Sequence, residues 1–167
     1  MDRNIVYPGS IPLDTDLLAT NRHVMVALGA LLQAVLGDST TVDGLHVVPT
    51  VPASLAVEVS AGSLSELVPL EASAYGSLPA DETELVKMAT NLAPVALALP
   101  APTTPGQSVA WLIQAAFQES DTDAVVLPYY NAANPAEPYL GPGNAGTAQA
   151  TRRVQRGQLQ AKPGVPA

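Results

Sequence analysis

The apolar residues of this chain keep two different periods. Leu17, Asn21, Val24, Leu28, Leu31 and Val35 recur at alternating steps of four and three, which on a helix gathers them into one stripe of the kind that packs against another helix. Asp14 or Thr15 offers an N-cap, Asp16 supplies first-turn negative charge and Gly37 offers a C-cap, so a helix is predicted from about residue 16 to 36. A second apolar stripe runs beside the first. Between Val24 and Leu36 only Gln33 is strongly polar, so this half is expected to be buried on more than one side, in a core or against symmetry mates. It falls well short of the roughly 20 residues that cross a bilayer.

From residue 42 the period becomes two. "SLAVEVSAG" places Leu55, Val57 and Val59 on one face and Ala56, Glu58 and Ser60 on the other, with Ala61-Gly62 as a turn. "GLHVVP", "SELVPLE", "TELVKMAT" and "PVALALP" are further short segments bounded by Pro, Gly, Asn or Asp, the rhythm of a sandwich or barrel-like sheet. Pro49, Pro52, Pro69 and Pro94 belong at strand ends or edges.

"SVAWLIQAAFQESDTDAVVLPYYN" fits two periods. As a strand it sets Val109, Trp111, Ile113, Ala115 and Phe117 against Ala110, Leu112, Gln114, Ala116 and Gln118, and as a helix it gathers Val109, Leu112, Ile113, Ala116 and Phe117. The turn-forming "SDTD" and the strand-like "AVVLPYY" favour a hairpin. Beyond Tyr130, "NAANPAEPYLGPGNAGTAQA" has the Pro, Gly and Asn content of a linker. At the other end Ile5, Val6 and Tyr7, followed by Pro8 and Pro12, suit an extended arm that adds to a sheet edge. The expected organisation is an arm over residues 1–13, a helix with a β-rich body over 14–131, and a Pro/Gly-rich linker with a basic tail over 132–167. The expected fold class is α+β, mainly β: one N-terminal helix packed with an antiparallel β-sandwich-like body.

Composition sharpens this in three ways. With 167 residues, 47% of them apolar, the chain can bury a core. Aromatic residues are few, so Val, Leu and Ala fill that core and subunits are expected to complete one another. The absence of Cys excludes a disulfide framework and thiolate chemistry. The opening "MDRNIVYPGSIPLD" lacks a basic leader followed by an apolar run, so export is not expected.

Charge is divided along the chain. Residues 1–137 hold all 15 acidic groups against Arg3, Arg22 and Lys87, a net −12, while residues 138–167 hold Arg152, Arg153, Arg156 and Lys162, a net +4. The acidic body repels nucleic acid, and the basic tail has neither interleaved aromatics nor a binding motif. Its better partner is an acidic protein surface, such as a neighbouring copy of this body. The tail "ATRRVQRGQLQAKPGVPA" is interrupted by Gly157 and has only Val154 and Leu159 as large aliphatics before its Pro-rich end. It is therefore expected to be disordered, or docked as an extended strand on another chain with its three Arg facing acidic groups.

Candidate chemistry is thin. His23 and His46 have no neighbour at metal-ligand or dyad spacing. Asp14 and Asp16, then Asp81, Glu82 and Glu84, then Glu119, Asp121 and Asp123 fall at a helix start and in turns, which accounts for them without catalysis. "DTDLL" and "DTD" lack the Gly and terminal Glu of a calcium loop, and "GPGNAG" lacks the Lys of a phosphate loop. No catalytic, metal or cofactor residues are assigned, and the chain is not expected to be an enzyme. The residues expected at interfaces are Leu17, Val24, Leu28, Leu31 and Val35 on the helix and Arg152, Arg153 and Arg156 in the tail.

The opening "DRNIVYPGSIPLDTDLL", the middle "AYGSLPAD", and "WLIQAAFQESDTDAVVLPYYNAANP" followed by "GPGN" resemble the N-terminal region of tail-fibre and baseplate-type proteins of tailed bacteriophages. The resemblance runs over residues 1 to about 145, and its motifs are structural. It implies a virion protein, assembled in the host cytoplasm, that joins a fibre to the tail or baseplate. It also implies self-association, with a trimer favoured, contact with other tail or baseplate proteins, and neither nucleic acid nor membrane insertion. The competing expectation is a host-surface carbohydrate-binding or carbohydrate-cleaving domain, for which exposed aromatic platforms beside carboxylates or amides are the discriminating feature.

Overall fold

The helix forms where its period predicts, and the strands around it explain which side is covered. A computed structural model describes residues 2–166. Helix α1 spans Asp14–Leu36, and ten strands follow: β1 Thr41–Gly44, β2 Val47–Pro49, β3 Ala56–Val59, β4 Gly62–Glu71, β5 Asp81–Asn91, β6 Val95–Ala98, β7 Trp111–Val125, β8 Pro128–Tyr129, β9 Tyr139–Leu140 and β10 Gln149–Pro163. The fold is α+β and mainly β, with its sheets antiparallel. The chain divides into two compact units, Met1–Phe117 with Gly157–Ala167, and Gln118–Arg156.

The N-cap of α1 is Leu13, one residue before the expected Asp14 or Thr15. The Leu13 N–H donates to Asp16 Oδ2 at 2.9 Å, so the carboxylate placed in the first turn satisfies the helix entrance from inside. Gly37 closes the helix as expected, with φ of 75° and its N–H donating to the Gln33 carbonyl.

In the first unit β4 is the middle strand of the sheet β1-β4-β5, and β3 is the middle strand of β2-β3-β6. "SLAVEVSAG" does form β3, but Ala61-Gly62 carries the chain from one sheet into the other instead of closing a hairpin. The long β4–β5 ladder pairs Leu64 with Ala89, Leu67 with Val86 and Val68 with Leu85. Among the described residues Val59, Leu64, Leu70, Leu85, Val86 and Ala89 are the buried apolar side chains. Pro69 lies within β4, at a stretch that β1 does not reach, and the register with β5 shifts just after it.

Helix α1 packs on β5. Gly29 is its only fully buried residue among those described. A Cβ there would overlap the Leu85 side chain and come within 2.8 Å of the Val86 carbonyl oxygen, so the close approach of helix to sheet depends on glycine. Expected burial on more than one side is not what the chain alone provides. The sheet covers one face, and Val24, Val26, Leu28, Leu31, Val35 and Leu36 stay exposed because a single helix on a single sheet has an outer side.

The segment 109–118 is strand from Trp111 onward, as the start of β7, but "SDTD" is not the turn expected. β7 runs through it, with Asp123 keeping a left-handed φ of 55°. The reason is a distant partner. Residues read as the tail of a linker form β10, which pairs with β7 of the same chain. Gly164 N–H donates to the Ala110 carbonyl at 2.8 Å, and Gln114 bonds Gln160. In the second unit Gln155 Nε2 donates to Glu119 at 2.9 Å and Thr151 Oγ1 to the Asp123 carbonyl at 2.8 Å. Partners descend β10 as they ascend β7, which is antiparallel pairing.

The Pro- and Gly-rich residues between β8 and β10 are tied by their own side chains. Asn131 Oδ1 accepts the N–H groups of Ala133 and Asn134, its Nδ2 donates to the Glu137 carbonyl, and Asn144 Oδ1 accepts the Leu140 N–H.

Candidate functional site

The outward stripe of α1 is the largest set of expected site residues that the fold brings together. Leu17, Val24, Leu28, Leu31 and Val35 are 43 to 71% exposed and share one face. The opposite face is fixed to the rest of the unit. Arg22 Nη2 donates to the Pro79 carbonyl at 2.9 Å, and its Nη1 lies 3.8 Å from Asp81 Oδ2. Asn21, within the stripe, reaches Tyr75 Oη at 3.4 Å.

The arm meets this helix at one point. Asn4 Nδ2 donates to the Asp16 carbonyl, and Asn4 Oδ1 lies 3.2 Å from His23 Nε2. Beyond that clasp the described residues of the arm join no sheet edge of this chain, contrary to expectation. It turns at Ser10, whose N–H and hydroxyl both donate to the Tyr7 carbonyl, and Ile5, Val6, Tyr7, Ile11 and Leu13 stay exposed. A strand arm needs an open ladder beside it, and here a polar residue holds the arm to a helix instead.

The expected basic contacts are made within the chain. Arg153 clamps Asp121 with two bonds, Nε to Oδ1 at 2.7 Å and Nη2 to Oδ2 at 2.9 Å. Its side chain is 7% exposed, and the planar fork matches the carboxylate. The Arg153 hydrogen bonds and charge hold the Asp121 carboxyl below its ordinary value. Arg152 Nη1 meets Asp123 at 3.0 Å on the open surface, and Arg156 Nη1 donates to the Gln155 carbonyl. The acidic partner surface foreseen for the tail is therefore β7. Two other carboxyls are lowered: Asp14 by the side-chain hydrogen bond of Ser77, and Asp81 by the hydroxyl and N–H of Thr83 with Arg22 adding charge.

His23 contacts the arm, and His46 exchanges backbone bonds with Ser60, through the hydroxyl and the N–H. Among the described residues no three His, Cys, Asp or Glu side chains are gathered to hold a metal. Trp111 is half-buried beside an open cavity of about 400 Å³ lined by Pro49, Leu55, Val57, Leu99 and Pro102, with Ser54 the polar side chain. Phe117 is also half-buried, and its ring lies under Lys87 Nζ at 5.8 Å.

Sequence reasoning missed Asn91. Its Nδ2 donates to the Gly157 carbonyl at 2.8 Å, and its Oδ1 accepts the Gly157 N–H at 3.2 Å, both buried. One side-chain amide thus behaves as a strand neighbour for β10. The only local signal is a polar residue closing an apolar strand. Among the described residues no helix is long and apolar enough to cross a membrane. Set against family models, curated proteins and solved structures, the chain shows no match to any of the three.

Proposed function

We propose that this chain is a structural virion module that attaches a tail fibre to a bacteriophage tail or forms part of its baseplate. The observation that carries this reading is the imbalance of apolar surface. Among the described residues six apolar side chains are buried, while the stripe of α1 and the arm residues Ile5, Val6, Tyr7, Ile11 and Leu13 are exposed. A body that leaves its helix face and arm uncovered is suited to being covered by other chains. The resemblance described above points to the same role. Mass spectrometry of purified virions from a host producing the chain should find it, and electron microscopy should locate it at the tail. Its absence from intact particles overturns the reading.

A second reading, binding of host-surface carbohydrate, draws on one observation. Tyr129 and Tyr139 pair across β8 and β9, both about 40% exposed, and Tyr129 Oη bonds Gln149 at 2.7 Å. Retention on immobilised host polysaccharide that disappears with Tyr139→Ala would favour this alternative.

A further inference from the structure

We propose that the stripe Leu17, Asn21, Val24, Leu28, Leu31 and Val35 is the seam of a parallel, in-register contact between α1 helices of copies of this chain. The inference deepens the attachment reading by naming one partner. The four-three spacing assigns Asn21, Leu28 and Val35 to one seam position of a heptad and Leu17, Val24 and Leu31 to the other. The aliphatic seam residues all point away from the chain's own core. The helix cannot turn this seam inward, because Gly29 already presses the other side onto Leu85 and Val86.

Two features select a copy of the same chain over an unrelated apolar surface. The first is charge. Copies of net charge −8 repel over much of their surface, yet no acidic residue occurs between Asp16 and Asp38. The flanking Thr20, Ala27, Ala30 and Ala34 are small and uncharged, so two backbones can approach. The second is Asn21. Tyr75 engages only its Nδ2, so against a wholly apolar partner its Oδ1 would be buried without a match. Against the same residue of a copy, one amide offers the donor that the other accepts. That match requires parallel helices, since an antiparallel contact centred on the stripe sets Asn21 opposite Leu31.

The test uses the whole chain. Sedimentation equilibrium should give a mass that is a multiple of 17.1 kDa, and Leu28→Asp with Leu31→Asp should return it to that of one chain with the helical signal kept. Because the sequence has no Cys, single-cysteine variants report register directly. Leu28→Cys should form a disulfide dimer under mild oxidation, while Val26→Cys, off the seam, should not. A wild-type mass of one chain at micromolar concentration and above overturns the proposal. So does a folded double variant of unchanged mass, or equal cross-linking at positions 26 and 28. If the double variant fails to fold, the cross-linking contrast decides. The two readings fail separately: a chain that is monomeric yet present in virions ends this inference alone, and one that associates yet is missing from virions ends the attachment reading alone.

Discussion

Two long antiparallel ladders in this protein solve the same geometric problem with different chemistry. β4 and β5 pair over most of their length around Leu64, Leu70, Leu85, Val86 and Ala89, and even their buried cation is enclosed: Lys87 is 2% exposed and donates to the Leu70 carbonyl at 2.9 Å. The part of β7 and β10 in the second unit buries no large aliphatic side chain fully. There Glu119 faces Gln155, Asp121 faces Arg153 and Asp123 faces Arg152. The first ladder is held by water exclusion, which ionic screening does not weaken and which is strong per residue. The second is held by matched polar partners, which fix register while adding little net stability. A strand pair can thus be specified without a core, but it then depends on solution conditions.

The sharpest way to break this comparison is a cavity in the first ladder. Leu64→Ala should cost about 2–5 kcal/mol, read as a lowered denaturant midpoint; a loss within the range of a surface change would show that β4–β5 is not held by burial. Asn91→Ala comes next, with an expected cost of about 1–3 kcal/mol, because the buried Gly157 N–H and carbonyl lose their partner. Hydrogen exchange at Gly157 should accelerate with it, and unchanged protection would mean that the amide only decorates the strand.

Acid addresses the second ladder. The Asp121 carboxyl is held below the usual 3.8, so the stability it contributes is present above that value and is lost as pH falls through the lower, folded value. Below about pH 4 wild type should therefore lose stability more steeply than Asp121→Asn, by at most about 1 kcal/mol since Asp121 is nearly half exposed. Parallel pH profiles of the two would remove the pair from the account. Smallest is Arg152→Ser, at about 0–0.5 kcal/mol, because both partners are open to solvent. A cost as large as that of Asn91→Ala would mean that the second ladder is cooperative where it looks additive.

Legibility in the sequence followed distance along the chain. The helix, β3, β4, β5 and β6 were readable because each carries its own period, and Gly37 marks its stop with a residue type that suits a positive φ. "SDTD" misled because its local preference for a turn is real, while the partners that override it, Arg152 and Arg153, lie 29 and 32 residues away. β10 was hidden for the same reason. Its Gly157 reads as an interruption, yet a Cβ there would press on the Asn91 amide at 3.3 Å. The apolar stripe of α1 was legible as a stripe, but periodicity says only that a face exists and is silent on what covers it.

The separation of Asn91 from Gly157 also sets an order of events during synthesis. Those residues lie 66 positions apart, so at about 5–20 residues per second the first leaves the ribosome roughly 3 to 13 s before the second. Within that interval, once Val125 has emerged, β7 has an unpaired edge until β10 follows it. An edge of this length would recruit other nascent chains if it were apolar. Gln118, Glu119, Asp121 and Asp123 make the second half of the waiting strand polar and anionic, so the same carboxylates that later receive the arginines first oppose edge-to-edge pairing there between nascent chains.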